Sequence, residues 1–510
     1  MTVPPPRDRP PAAAVATTRF ARLSHRQWEN SVRDLLRLPA VPGLSAKFST
    51  DAAGTFTSGE VLSVSDNLRA DYQTAAEVVA QKVAQDPAAL ARIAAPGSGK
   101  DRIVAFIRDF GLRAYRRPLD DQENTAFLTL FQQGATLVPG VDPFAAGVQL
   151  TIEAMLQSPH FLYRTELGGG AGRQRLGPYE IAAKLSYALV GTMPDDALFM
   201  AAGGGALAND DQVVAQAERL LGKGGDPAVT FHDELFRLDG LTSDIEKDAT
   251  RFPEFKPTWR DSIRKESTLF LADVFASGQG LAELLTAPHT FVDPVLASLY
   301  GVSAPPGQAF ARVELDPKQR AGFLTQIGFL ARSGETESDP ILRGAFINQR
   351  LLCLDLEPPP GATSNIAEPP ASARTNRERV TAITSPAMCA ACHHTVINPA
   401  GFAFENYDAL GRYRTTEGGQ PVNAADTYEF ASGARSFANG LELSRLLAES
   451  PEVHQCYARG WFSFLEGRSA RPEDEPFVSW LAGRSLGERA SLKSMALAVV
   501  TDGSFLTRLP

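Results

Sequence analysis

Apolar residues recur at helical spacing along most of the chain. Over residues 19–38, RFARLSHRQWENSVRDLLRL, Leu23, Trp28, Val32, Leu35 and Leu36 fall near one face. Ser24 with Gln27 three positions on predicts a capping box at the start of that helix. The same period predicts helices near 69–93, 101–115, 120–135 and 142–157, ending at a Gly-rich linker, GGGAGRQR, over 168–175. Helical pattern resumes in GPYEIAAKLSYALV and DDQVVAQAERLLG, and again near 228–237, 256–277 and 292–299. A boundary near 301–312 precedes a helical block from Pro317 to Leu352. The Pro-rich 357–375 then reads as extended and solvated, 416–438 as a short hairpin, and 441–507 as helical. No repeat of fixed period is present. The fold expected is mainly α and multi-domain: a leader (1–18), helical domains over 19–95, 100–167 and 176–300, a region over 317–415, and a C-terminal helical domain over 432–510.

The totals narrow the class. A chain of 510 residues exceeds what one core usually serves. With 44% hydrophobic and 21% charged residues it is ordinary for a globular protein, and a net charge of -9 gives no clustered cationic surface for nucleic acid. No apolar run is long enough to span a bilayer. The start, MTVPPPRDRPPAAAVATT, has no apolar core of a signal peptide and reads as a flexible leader. No nucleophile-elbow Ser, HExxH or phosphate-binding loop is present, which removes support for hydrolytic and nucleotide-driven chemistry.

One pentapeptide carries chemistry. Cys389-Ala390-Ala391-Cys392-His393 is C-x-x-C-H. Two thiols one helical turn apart can form thioethers to the vinyl groups of a haem, and the next residue presents an imidazole to the iron. The sequence therefore predicts one covalent haem c with His393 as its metal ligand. A redox dithiol would want a preceding strand and a βαβ setting, and a zinc site would want a second ligand pair; neither is evident. Haem of this kind is attached outside the cytoplasm. A periplasmic or extracellular location is thus expected, and an export signal should once have preceded the present start. In such an oxidising compartment the remaining cysteines, Cys353 and Cys456, tend to pair; two buried free thiols is the alternative.

The residues around the motif are familiar. CAACHHTVINPAGFAFENYDALGRYR (389–414) resembles the haem segment of planctomycete- and myxobacterial-type cytochrome c proteins assembled from five consecutive domains of unknown function. That segment typically reads CxxCHxxxDPxGFxxENYDAxGRYR. RLSHRQWENSVRDLL is similar to the first domain and FGLRAYRRPLDDQE to the second. LQSPHFLYRTELG, PYEIAAKLSYALVGTMPDDALF, FPEFKPTWRDSIRKE and LLTAPHTFVDPVLASLYG are similar to the third. QRAGFLTQIGFLA with SDPILRGAFINQRLLCLDLEPPP is similar to the fourth, and PEVHQCYARGWFSFLEGR with TDGSFLTR to the fifth. The resemblance implies an exported, mainly helical haem protein with a cytochrome-c-like region near its C-terminus, and places Cys353 and Cys456 where family members carry cysteines. Two departures stand out. LSYFLW reads LSYALV here, so that Ala188 and Val190 replace large aromatics, and the usual DP is Asn398-Pro399.

The group opposite His393 decides the chemistry: Met or His gives an electron-transfer centre, an open position admits peroxide or dioxygen. Among Met155, Met193, Met388 and Met495, Met193 in the GTMPDD turn is the best sulfur candidate. His160, with Tyr163 and Arg164, could form a distal pocket. Arg412 and Arg414 are candidates to bind haem propionates through bidentate hydrogen bonds. Tyr407 and Asp408 are candidates for supporting hydrogen bonds, whereas Asp195 and Asp196 read as a helix N-terminus. The reading favoured is a redox enzyme, oxidase- or peroxidase-like, with an unknown small-molecule substrate or redox partner. The alternative is an electron-transfer or scaffold protein with a six-coordinate haem.

Overall fold

The computed structural model describes residues 9–13, 19–51, 54–57, 60–167, 172–222, 227–243, 245–303, 306, 309–332, 334–357 and 368–509. Most of the leader, part of the 168–175 linker and the middle of the Pro-rich stretch lie outside these. The chain is mainly helical. It divides into two units, one formed by Ala228–Trp461 with Val478–Met495, the other by the chain up to Pro227 with Phe462–Phe477 and the segment from Ala496 onward.

In the unit that contains the N-terminal part, Ser24 caps helix His25–Leu35 and Gln27 returns the bond to the Ser24 amide, the box predicted from the sequence. Its apolar face, Trp28, Val32 and Leu35, enters a core shared with Tyr72, Phe106, Phe110, Phe131 and Ile152. Helix Asp66–Gln85 lies against Pro143–Gln157. Two short ladders tie distant parts of this unit together: Phe20–Arg22 pairs with Tyr163–Thr165, and Gln174–Arg175 pairs with Thr507–Arg508. Lys184 is buried between Glu166 (3.4 Å) and Glu466 (3.3 Å), so the ammonium is paired on two sides.

The other unit is built on helix Trp259–Ala276, strand His289–Val292 paired antiparallel with Ala311–Glu314, and helix Pro340–Arg350. Phe231 stacks on Trp461 at 4.1 Å and Phe236 on Phe323 at 4.6 Å. The 416–438 segment holds two hairpins where one was expected, Thr416–Glu417 with Gln420–Pro421 and Asp426–Phe430 with Gly433–Phe437. Two turn sequences, Gly418-Gly419 and Ala431-Ser432, explain the doubling. Cys353 and Cys456 are joined, with Cα atoms 5.5 Å apart across 103 residues.

Glu266 is fully buried in this unit. Thr290 donates to its Oε1 at 2.6 Å and Tyr300 donates to the same oxygen, while Oε2 has no hydrogen-bond partner among the described residues. Burial pushes its carboxyl up to about 7, against the hydrogen bonds of Thr290 and Tyr300. The folded state therefore holds a proton that the unfolded chain, with a carboxyl near its ordinary value, has released. Stability from this group is full below the unfolded value and is lost as pH rises to about 7. Glu266→Gln keeps an acceptor oxygen and removes the charge. Its melting temperature is expected to match the parent near pH 4 and exceed it at pH 8, as read by thermal melts across that range.

Candidate haem-attachment site

Residues 376–402 form four consecutive helical pieces whose ends are set by their own sequence. Helix Asn376–Ile383 starts at a Thr375/Glu378 capping box and ends at Thr384, whose hydroxyl donates back to the Val380 carbonyl at 2.7 Å. Pro386 opens the next helix, Ala387–Cys392, which carries both motif cysteines. A π-turn follows over His393–Ile397, before helix Asn398–Phe402. Pro399 has no amide to give the Thr395 carbonyl, and its ring crowds that carbonyl; a widened turn just before it relieves both.

Packing fixes this segment against helix Pro340–Arg350. A Cβ on Gly344 would sit 1.9 Å from the Ile397 carbonyl oxygen, and one on Gly401 would sit 1.8 Å from that of Pro340. The backbones thus touch at two glycines that no other residue can replace. Asn348 adds a clamp: its amide donates to the Val396 carbonyl at 3.0 Å, and its oxygen accepts from Tyr428 at 2.6 Å.

At the surface of this support stand two free thiols, Cys389 half-buried and Cys392 exposed. His393 Nδ1 lies 3.1 Å from Asn398 Oδ1. Asn398 is buried, and its Nδ2 donates to Thr384 Oγ1 at 2.9 Å. Because the Thr384 hydrogen goes to Val380, the Thr384 oxygen must accept, which turns the Asn398 amide oxygen toward His393. Nδ1 then bears the hydrogen and Nε2 keeps the lone pair, the tautomer an iron ligand needs. Donor types, spacing and tautomer all fit a haem c. A redox dithiol fits less well, since the segment before the motif is a helix and not a strand. Among the described residues no three His, Cys, Asp or Glu side chains gather as a metal cluster, so zinc lacks its ligands.

Other candidates take different places. Arg412 donates to Asp408 (2.8 Å) and Glu254 (2.9 Å). Arg414 binds the Glu405 carbonyl (2.9 Å) and carboxylate (3.2 Å) and pairs with Glu417 (3.1 Å). A propionate would have to displace a carboxylate from either. Asp408 Oδ1 accepts from the amides of Leu410 and Arg412, both at 2.9 Å, and shapes the turn through Gly411. Tyr407 is buried, donates to the Gln319 carbonyl and is pushed up to about 12 by burial.

Met193, His160, Tyr163 and Arg164 belong to the unit that does not contain the motif. Met193 is buried in that unit's apolar core, in the cluster that also holds Tyr187 and Phe199. Val190 and Met193 line a cavity of about 500 Å3 there. Asp195 caps helix Asp196–Gly203 and pairs with Arg219, as its position after Met-Pro implied. His160 lies 3.7 Å from Glu123.

Two residues important to the site were not singled out from the sequence. Asn398 stood out only as a departure from Asp. Arg343, fully buried, gathers the carbonyls of Leu330, Phe404, Tyr407 and Asp408 and so ties the segment after the motif to its support. Burial lowers its guanidinium to about 10.

Five family models match in one consecutive run. They are proteins of unknown function: DUF1587 over 21–85, DUF1595 over 103–166, DUF1592 over 176–302, DUF1588 over 320–417 and DUF1585 over 433–505. The chain carries the five domains of the planctomycete-type cytochrome c family. Residues 389–393 fall within the DUF1588 domain, whose short name, PSCyt3, marks a cytochrome-like module. No curated protein and no solved structure matches the chain. No helix among the described residues is long and apolar enough to cross a membrane.

Proposed function

We propose that this chain is an exported redox protein with one haem c, held by thioethers from Cys389 and Cys392 and ligated by His393, acting as an oxidase- or peroxidase-like enzyme on a small molecule. One observation carries the reading: two free thiols a helical turn apart, followed by an imidazole that Asn398 holds by Nδ1. Bound there, a haem supplies one-electron chemistry and, with an exchangeable position, a place for peroxide or dioxygen. His393 offers Nε2, Asn398 keeps the ring from turning, and Thr384 keeps Asn398 from flipping.

The remaining imidazoles of this unit are engaged with other partners or adjoin His393. His232 is bonded at both nitrogens, to the Ala228 carbonyl (2.6 Å) and the Tyr457 hydroxyl (2.8 Å). His454 is likewise held by Ser485 (2.8 Å) and Ala448 (3.0 Å). His289 pairs with Asp273 at 3.0 Å, and His394 directly follows the proximal residue. Size favours the enzyme, since an electron carrier needs only about one domain of ~100 residues.

Absorption spectra of the ferric and ferrous protein, with and without peroxide and carbon monoxide, test the reading. The expected result is a carbon monoxide adduct of the ferrous form and a peroxide-dependent change in the ferric form. A low-spin spectrum that neither ligand moves would favour the six-coordinate electron-transfer alternative.

A further inference from the structure

Helix Pro340–Arg350 has a second face. Gly344 and Asn348 meet the segment after the motif, whereas Leu342, Phe346 and Arg350 lie on the opposite side, by the helical period. That side closes a cavity of about 570 Å3, a size suited to a small organic ligand. The haem reading makes no use of it.

Four arginines line this cavity: Arg237, Arg332, Arg343 and Arg350. Arg332 donates to the Phe236 carbonyl at 3.0 Å. Arg343 satisfies its terminal nitrogens on carbonyls, but its buried Nε has no hydrogen-bond partner among the described residues. Among the described residues no carboxylate forms an ion pair with Arg237 or Arg350. Burial, then the charges of Arg237 and Arg332, lower the Arg350 guanidinium from its usual range. The two carboxylates at the lining do not offset this: Glu246 is 68% exposed and reaches toward Arg260, and Glu335 is exposed. Arg237 also holds a left-handed backbone conformation (φ 51°), a local cost that the surrounding fold maintains. Part of the lining is apolar, with Phe329 and Phe346 edge to face at 5.2 Å.

Like charges in a half-enclosed space raise the energy of the empty cavity, and an oxyanion is the ligand that relieves them. Guanidinium forks match carboxylate, phosphate and sulfate geometry in pairs, and phenylalanine rings favour an apolar body beside the anion. We propose that this cavity binds a small organic oxyanion: a carboxylate, phosphate or sulfate group facing the arginines, with an apolar or aromatic portion against Phe329 and Phe346.

Calorimetric titration of the full haem-loaded chain with phenyl phosphate, benzoate and inorganic phosphate tests this, beside Arg350→Met, Arg237→Met and Phe346→Ala. Phenyl phosphate is expected to bind saturably and more tightly than inorganic phosphate. Each arginine variant should weaken it by roughly tenfold or more, and Phe346→Ala should remove the preference for the phenyl group. Thermal melts separate binding from folding. Without ligand, Arg350→Met should melt no lower than the parent, because repulsion is removed, and phenyl phosphate should raise the melting temperature of the parent more than that of either arginine variant. Absence of saturable binding, equal binding by parent and arginine variants, or a lower melting temperature of ligand-free Arg350→Met would each overturn the proposal.

Discussion

Replacing Cys389 and Cys392 together with serine is expected to abolish covalent haem entirely. The support of the site does not depend on the thiols: Cys389 is half-buried, Cys392 is exposed, and neither fills a core position. The double variant should therefore fold, with the far-ultraviolet spectrum of the parent, and hold at most extractable haem through His393. Each single serine variant keeps one attachment point. Its pyridine haemochrome should fall between those of haem with two thioethers and haem with none, since each thioether replaces one vinyl group. The Cys353–Cys456 bond sharpens the test, because it leaves only the motif cysteines free among the four. If the double variant retained haem that acidified organic solvent cannot extract, attachment would have to occur elsewhere.

The second large effect concerns that disulfide. It closes a loop spanning 103 residues, and this loop contains the Pro-rich stretch, the haem motif and both hairpins. Loop-closure entropy gives about 4.7 kcal/mol for a bridge of this span, and measured losses usually fall at about 2–5 kcal/mol. Cys353→Ala with Cys456→Ala should therefore lower stability to denaturant by an amount in that range. A reducing agent should then lower the stability of the parent and leave the variant unchanged. Cys353 adds a second consequence, since its φ of 55° lies in the left-handed region. Cys353→Gly with Cys456→Ala should recover roughly 1 kcal/mol relative to the double alanine form, because glycine adopts that backbone without steric cost. Equal stabilities of the two double variants would show that the backbone relaxes once the bridge is gone.

Local pattern carried much of this far. The 3.6-residue period located helices such as Pro143–Gln157 and Trp259–Ala276, and the Ser24/Gln27 signature marked a helix start correctly. The motif was legible because its chemistry is confined to five adjacent residues. What local pattern does not carry is contact between distant segments. Nothing in Phe462–Phe477 or in the chain after Ala496 says that it packs with the N-terminal part, and the unit boundary after Pro227 falls inside 176–300, where the helical period continues. The arginines show the same limit. Arg412 and Arg414 drew attention by closeness to the motif, yet their partners are Asp408, Glu254, Glu405 and Glu417. Arg343, some 46 residues before Cys389, supports the segment more directly through four carbonyls that no sequence rule pairs with it. Asn398 is intermediate: a visible departure whose meaning depends on the hydrogen directions of Thr384 and His393.

Covalent attachment of one haem at Cys389 and Cys392 can be read from the intact mass. The chain would be produced in the periplasm of a host with haem c maturation machinery, then weighed after denaturation and acid extraction. The expected value is the mass of the polypeptide plus one haem, with that increment absent from the double serine variant. The bare polypeptide mass for the parent, or an equal increment in both proteins, would contradict it.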